Sequence, residues 1–189
     1  VVQGELGWWT VQGRREYLRL VYWGRLARGE VGKLVGEVYR SGRERMKARW
    51  AGAREWCVVT AGLLQEVGME EEWETGRVWG MDHRGWKKVV RGLIQGREET
   101  AWRHRMVGKA SLEGYARVKR ELKPEWFLGE PKCWVRRWVA LRGGSACLAV
   151  VRGRWRRVPR DQRVCGWCGL GLVEDERHFV DVCERWASE

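Results

Sequence analysis

The sequence predicts a mainly α fold, an irregular multi-helix body followed by a small C-terminal zinc knuckle. Apolar residues recur at three- and four-residue spacing through most of the 189 residues, and such spacing is typical of amphipathic helices. No segment shows the sustained alternation of apolar and polar residues that marks a half-buried strand. Four residues of the kinds that bind metal gather near the C-terminus.

Helices are expected over most of the first 110 residues because each of several segments carries an apolar stripe opposite a basic or acidic face. Gly68 follows one of these segments and is expected to be the glycine that ends the helix. Ser41 and Gly42 are expected to weaken another segment, and Gly92 and Gly96 to interrupt the last. The segments are 13–28, 30–50, 55–67 and 83–107.

The second half of the chain is expected to contain shorter helices. Segment 111–122 keeps the helical stripe and stops before Pro124, and Gly143 with Gly144 provides a turn between the two later segments, 130–141 and 145–151. By composition the chain divides into a helical body at 1–110, a basic helical segment and connector at 111–163, and the knuckle at 164–187.

The knuckle is predicted from the pattern C-x2-C-x9-H-x4-C, formed by Cys165, Cys168, His178 and Cys183. Three thiolates and an imidazole at these spacings can complete a tetrahedron around zinc. A shell filled by protein leaves no open position for water, so the expected role is structural and no catalytic residue is assigned. A redox-active Cys165–Cys168 pair and a chance grouping are the alternatives.

Charge favours a polyanionic partner. The chain carries 37 Lys and Arg against 25 Asp and Glu, a net charge of +12. Residues 133–163 hold nine of the arginines and one acidic residue, with tryptophans between them. We expect a partly extended basic connector, broken by Pro159, to contact phosphates and bases. The predicted nucleic-acid contacts are Arg152, Arg154, Trp155, Arg156, Arg157 and Arg160.

Apolar runs and cysteine spacing predict in which cellular compartment the protein is found. No apolar run approaches the length of a membrane span, and no signal-peptide pattern opens the chain. Cys57, Cys133 and Cys147 are scattered singly, as buried free thiols would be. These features predict an intracellular protein, nuclear or cytoplasmic, without a membrane partner. The sequence begins at Val1, so a fragment or processed piece of a longer protein is expected.

The closing motifs resemble a known family. The stretch Val158-Pro-Arg-Asp-Gln-Arg-Val-Cys165, the run Val173-Glu-Asp-Glu-Arg-His178-Phe and the final Cys183 are similar to the C-terminal region of non-LTR (LINE-type) retrotransposon reverse transcriptases. The similarity continues upstream through residues 111–127 and 140–159, and more sparsely to Gly4-Glu-Leu-Gly-Trp-Trp and Tyr22-Trp-Gly-Arg-Leu26. Gly166 and Glu184 stand where that family often has proline.

The resemblance implies a parent protein that is an RNA-directed DNA polymerase, and it implies that Cys165, Cys168, His178 and Cys183 bind zinc. Expected partners are the element's RNA transcript or its DNA target site, together with the rest of the parent polyprotein. The paired aspartates of the polymerase active site are not matched, because the four Asp residues are isolated in the sequence. The chain itself is therefore expected not to be an enzyme.

Two other classes of function stay open. A protein-interaction module would use the acidic face of the knuckle and exposed tryptophans. A zinc nuclease would need an open metal site and a nearby base, for which Glu174 and Glu176 are the candidates. Nothing resembles a groove-reading helix, so structured RNA or single strands are the expected nucleic-acid ligands.

Overall fold

A computed structural model describes residues 2–48, 52, 55–76, 78, 80–109 and 112–185. Within these ranges the chain forms nine α-helices and no β-strand, and helices make up about two thirds of it. The prediction of a mainly α fold is confirmed. The helices are α1 Val2–Leu6, α2 Val11–Ala27, α3 Lys33–Lys47, α4 Trp56–Glu66, α5 Glu70–Thr75, α6 His83–Met106, α7 Glu113–Val118, α8 Lys132–Arg142 and α9 Ala149–Trp155.

The chain folds into two compact units. One unit is Trp9–Glu98, and the other joins Val1–Trp8 to Glu99–Glu189, so the division falls within α6. The functional division into 1–110, 111–163 and 164–187 stays a prediction. Of the described helices, none is long and apolar enough to cross a membrane.

The unit Trp9–Glu98 has a tryptophan-rich core. Trp23 and Trp86 are fully buried, and their rings pack with centroids 5.4 Å apart. The indole of Trp23 donates a hydrogen bond to the Tyr39 hydroxyl at 2.9 Å, and that of Trp86 donates to the Leu20 carbonyl at 2.9 Å. Because both indole N–H groups have buried acceptors, these rings can be buried without an unsatisfied donor.

Glycines expected to weaken or interrupt two helices do not break them. Helix α3 runs unbroken through Ser41 and Gly42, and α6 runs unbroken through Gly92 and Gly96. Gly42 is buried, and a Cβ there would lie 2.8 Å from the sulfur of Cys57. Close packing of α3 on α4 therefore requires the glycine, and tertiary contact outweighs its low helix propensity. The predicted end of this helix at Trp50 lies outside the described residues.

Gly68 ends α4, as the sequence predicts. Its φ of +72° lies in the left-handed region, and its N–H donates to the Gln65 carbonyl at 3.0 Å at the end of α4. Only glycine adopts this conformation without a steric cost.

The other unit buries a polar cluster beside its aromatic core. Glu5 of α1 is buried against the Tyr115 hydroxyl, and the Arg142 guanidinium lies 3.5 Å from its carboxylate. Arg142 also pairs with Glu125 at 3.2 Å, and the buried Lys119 ammonium pairs with the same carboxylate. Buried charges are stable only when they are paired, so this cluster fixes α1 to the segments that follow α7.

Helix α7 is shorter than predicted from the stripe at 111–122. It ends at Val118, because Lys119 adopts an extended backbone and turns its buried ammonium toward the Lys123 carbonyl, 2.6 Å away. The stripe continues past the helix, with Leu122 buried outside it. The predicted start at Ser111 lies outside the described residues.

Helix α9 lies further along the chain than the predicted 145–151. It begins at Ala149 and continues to Trp155. Its start is set by Glu174, which is distant in sequence and bonds the N–H groups of Ala149 and Val150. The preceding helix, α8, matches its expected position within two residues at each end.

Candidate metal centre and adjoining basic segment

The structure brings together Cys165, Cys168, His178 and Cys183. Their ligand atoms, the three Sγ atoms and a ring nitrogen, all lie within 4.8 Å of one another. The Sγ atoms of Cys165 and Cys183 are 3.9 Å apart, and Cys168 Sγ is 3.4 Å from His178 Nε2. This cluster could hold one metal ion, because four donors surround a space of suitable size.

The first two cysteines lie on a tight loop. An antiparallel bridge joins Val164 to Val173, and the Cys165 N–H donates to the Leu172 carbonyl at 2.8 Å. Gly169 and Gly171 have φ values of +68° and +67°, which let the chain reverse directly after Cys168. The loop therefore presents both sulfurs to the same side.

The other two side chains come from a short capped turn. The Asp175 carboxylate accepts the His178 N–H at 2.9 Å, as an N-cap residue does. Residues His178–Val182 form a π-helical turn, in which the Cys183 N–H donates to the His178 carbonyl at 2.7 Å. Residues five positions apart lie on the same face of a π-helical turn, so His178 and Cys183 both face the cluster.

The thiols differ in acidity. Burial alone would raise the pKa of Cys165, but the N–H groups of Trp167 and Cys168 point at its sulfur and lower the pKa to about 7. The Trp167 nitrogen is 3.4 Å from that sulfur. Burial raises the pKa of Cys183, and the neighbouring Cys165 raises it further. A bound cation would supply the positive charge that lets neighbouring thiolates coexist.

Glu174 connects the cluster to α9. Its buried carboxylate accepts the Ala149 N–H at 2.6 Å, at the first turn of the helix. Its backbone carbonyl accepts the Val150 N–H at 3.1 Å, and its own N–H donates to the Arg163 carbonyl at 3.0 Å. A carboxylate at a helix N-terminus satisfies orphan donors and complements the helix dipole. The hydrogen bonds from Glu174 therefore set the start of α9 at Ala149.

Arg163 stabilises the C-terminal end of α9. Its guanidinium donates to the Val158 carbonyl at 2.6 and 2.8 Å and to the Val150 carbonyl at 3.0 Å. Its side chain passes over Gly153, where a Cβ would lie 2.5 Å from the Arg163 Cγ. Of the nine arginines between 133 and 163, Arg163 is thus used within the fold, as Arg142 is in the cluster with Glu5.

The predicted basic connector is helical in its first half, which corrects the expectation of a partly extended chain. Arg152, Arg154 and Trp155 belong to α9, because the capping by Glu174 shifts the helix toward the C-terminus. Arg156 closes the helix, and Arg157 takes a left-handed φ of +57°. The chain then continues through Pro159 into a short 3-10 turn, Arg160–Gln162.

All five predicted arginines are exposed, and Trp155 is 84% exposed. Arg152 pairs with Glu174 at 3.6 Å and Arg160 with Asp175 at 3.3 Å, so the ends of the segment are tied to the metal-binding region. Arg154, Arg156 and Arg157 form no ion pair within the described part of the chain. These three remain available for a ligand.

Three structural roles do not follow from the sequence pattern. The sequence suggests Glu174 as a base but not as a helix cap, and it indicates no structural role for Asp175 or Arg163. Asp175 could have been found, because Asp three residues before a helical position is a capping signal. The partners of Glu174 and Arg163 are carbonyls and N–H groups at a distance in sequence, and no local pattern identifies them.

Comparisons with known proteins identify no family for this chain. No protein-family model, curated protein or solved structure matches this chain.

Proposed function

We propose that the cluster of Cys165, Cys168, His178 and Cys183 is a structural zinc site. Zn–S bonds of about 2.3 Å and a Zn–N bond of about 2.0 Å in a tetrahedron separate two sulfurs by about 3.8 Å and a sulfur from a nitrogen by about 3.5 Å. Two of the six separations, 3.9 and 3.4 Å, fit these edges, and all donor atoms lie within 4.8 Å of one another. Zinc prefers this donor set and would have no open position for a substrate.

The zinc site, in this proposal, orients a basic segment that binds RNA or single-stranded nucleic acid. The observation that carries it is the attachment of α9 to the metal-binding region through Glu174, with Arg154, Arg156 and Arg157 exposed beyond the attachment. Because the backbone of this short segment is already ordered, binding phosphates through its three arginines costs little further backbone entropy.

The charges of the metal-binding region support this division of roles. Glu174 is buried under α9, and Asp175 is occupied by the His178 N–H and by Arg160. Both carboxylates are thus used within the protein, which argues against Glu174 as a general base for a nuclease. Phosphates are expected on the arginines and not on the metal-binding turn.

We further propose, from the resemblance in its closing motifs, that the chain is the C-terminal region of a non-LTR retrotransposon reverse transcriptase. In this proposal it has no polymerase active site of its own. The element's RNA or its DNA target site would be the ligand, and the rest of the parent polyprotein would be the protein partner.

The salt dependence of binding tests the proposal. A single strand that engages three or four arginines should show a log-log slope of affinity against salt of about −2 to −3, since each neutralised phosphate contributes roughly −0.7. Replacing Arg154, Arg156 and Arg157 together by Ala should flatten the slope by about two units. Zinc content should stay unchanged, because none of the three contacts the cluster.

A matched control separates local contact from net charge. Arg14, Arg15 and Arg40 are exposed arginines of the other compact unit, so replacing them by Ala removes the same charge elsewhere. This control should keep the wild-type slope. An unchanged slope in the Arg154, Arg156 and Arg157 variant would place binding elsewhere, and salt-insensitive capture of a protein partner would favour the interaction-module alternative.

A further inference from the structure

Helix α8 is an unusually exposed helix. It has no buried residue, although it carries two tryptophans one turn apart. Trp134 is 52% exposed and Trp138 is 39% exposed, and the nearby Trp126 is 73% exposed. We call these three rings the aromatic face. Exposed clusters of large apolar side chains mark interaction sites more often than scattered single residues do.

The aromatic face has a rigid base. The buried ring of Phe127 stacks on Trp138 with centroids 6.3 Å apart and an interplanar angle of 24°. Trp126 meets the same Phe127 ring edge-on at 5.8 Å. Trp126 and Trp138 therefore each contact the buried Phe127 ring on one side, while much of their surface is exposed. Rings held in place lose little conformational freedom when a ligand stacks on them.

The charge of α8 is entirely positive. Its sequence holds four basic residues and no acidic one. Arg142 is turned inward to Glu5 and Glu125, whereas Lys132, Arg136 and Arg137 are exposed and make no ion pair among the described residues. The guanidinium of Arg137 lies 5.4 Å from the centroid of the Trp134 ring. Cations thus flank the open rings on the same helix.

We propose that the aromatic face binds unpaired bases of a single-stranded nucleic acid, while Lys132, Arg136 and Arg137 contact its phosphates and add about −2 to the salt slope of about −2 to −3 expected from the basic segment alone. Open π-surfaces beside unpaired cations are what base stacking and backbone contact require. A duplex would not fit, because its bases are stacked on each other. This inference rests on the proposed function and adds a base-contacting site separate from Arg152–Arg160.

The test removes the π-surface and keeps apolar volume. The variant Trp126→Leu with Trp134→Leu is compared with Trp126→Phe with Trp134→Phe, and Trp8→Leu serves as control because Trp8 is a 59% exposed tryptophan outside the face. The probes are a labelled oligouridylate of about 16 nucleotides and the same backbone without bases. Helical circular dichroism should be the same in all variants, since the replaced rings are largely exposed.

The Leu pair should weaken oligouridylate binding by about five-fold or more for each lost stack. The Phe pair should restore most of the affinity, and Trp8→Leu should change nothing. The base-free probe should bind all variants equally, and the salt slope of the Leu pair should match that of the wild type because no cation is removed. Wild-type affinity in the Leu pair would overturn the inference, as would equal losses for both probes.

The two proposals fail in different ways. If the Leu pair loses affinity while the Arg154, Arg156 and Arg157 variant keeps its salt slope, the aromatic face stands and the basic segment fails. If the slope flattens but the Leu pair binds as wild type does, the basic segment stands and the aromatic face fails. Absence of oligouridylate binding by the wild-type protein at low salt would overturn both.

Discussion

At the scale of single residues, the proposed metal site would take its donors from two turns of the chain. Cys183 is the last donor, and replacing it with Ser should lower bound zinc from one ion per chain to nearly none. Three donors bind far more weakly, and metal binding at such sites contributes on the order of 10 kcal/mol to the folding of the surrounding turn. Metal analysis after gel filtration measures the change.

The control for Cys183→Ser is Cys147→Ser, because Cys147 is a free cysteine outside the cluster that is exposed, as Cys133 is, and not buried as expected from the sequence. It should retain a full equivalent of zinc. Full zinc in a double variant, Cys165→Ser with Cys183→Ser, would show that the metal lies elsewhere. A disulfide between Cys165 and Cys168 in the purified wild-type protein would instead favour the redox alternative.

Glu5 gives a pH-dependent prediction. Burial raises the pKa of Glu5 above its ordinary value of 4.5, and Arg142 offsets this only in part. The folded state therefore holds the Glu5 proton more tightly than the unfolded state, so stability falls as pH rises from about 4.5 through the raised folded-state pKa. Glu5→Gln should remove this contribution, at most about 1.4 kcal/mol per pH unit. Urea unfolding across this pH range measures the difference, and parallel profiles for the two proteins would contradict it.

At the scale of helices, local sequence predicts where helices occur better than where they end. The stripe of α2 and the glycine after α4 are local signals, and both are confirmed by the structure. The ends of α7 and α9 are not local, because Lys119 and Glu174 bind partners several to many residues away. A side chain that satisfies a distant N–H group or carbonyl can override the periodic pattern.

The packing of α9 gives a prediction for one glycine. Gly153→Ala should lower the free energy of unfolding and loosen Arg163, because the new Cβ would lie 2.5 Å from the Arg163 Cγ. We expect a loss of about 1–3 kcal/mol, as overpacking usually costs. Gly62→Ala is the control, since Gly62 lies in α4 with open space around it. That change should stabilise the protein by about 0.5–1 kcal/mol. Equal effects in denaturant unfolding would contradict this account of Gly153.

At the scale of the whole molecule, the sequence predicted the helical class and the four residues of the cluster, since both depend on local spacing. The division into units was not predictable in this way. Val1–Trp8 belongs with Glu99–Glu189 through buried contacts such as Glu5 with Arg142, which no periodic pattern reveals. The attachment of the basic segment to the cluster is of the same kind, because the partners of Glu174 lie 24 and 25 residues earlier.

The two units should respond differently to loss of metal. The unit Trp9–Glu98 has its own core, in which Leu20, Trp23 and Trp86 are fully buried, so we expect its stability not to depend on the cluster. Within the described residues 156–185 the only buried hydrophobic side chains are Cys165 and Cys183, so we expect the turns that carry the cluster to depend on the proposed zinc. Removing zinc with a chelator should therefore speed amide hydrogen exchange in residues 149–185 and leave exchange in α2 and α6 up to Glu98 unchanged.

The same experiment tests whether the metal site orients the basic segment. Once the cluster is disordered, Glu174 no longer caps α9, and the amides of Ala149 and Val150 should lose protection together with that of Cys183. Oligonucleotide affinity should fall, because the arginines must then be ordered on binding. Adding zinc back should restore both the protection and the affinity. Protection of α9 that survives complete metal removal would show that the helix is held independently, and the zinc site would then have no part in presenting the arginines.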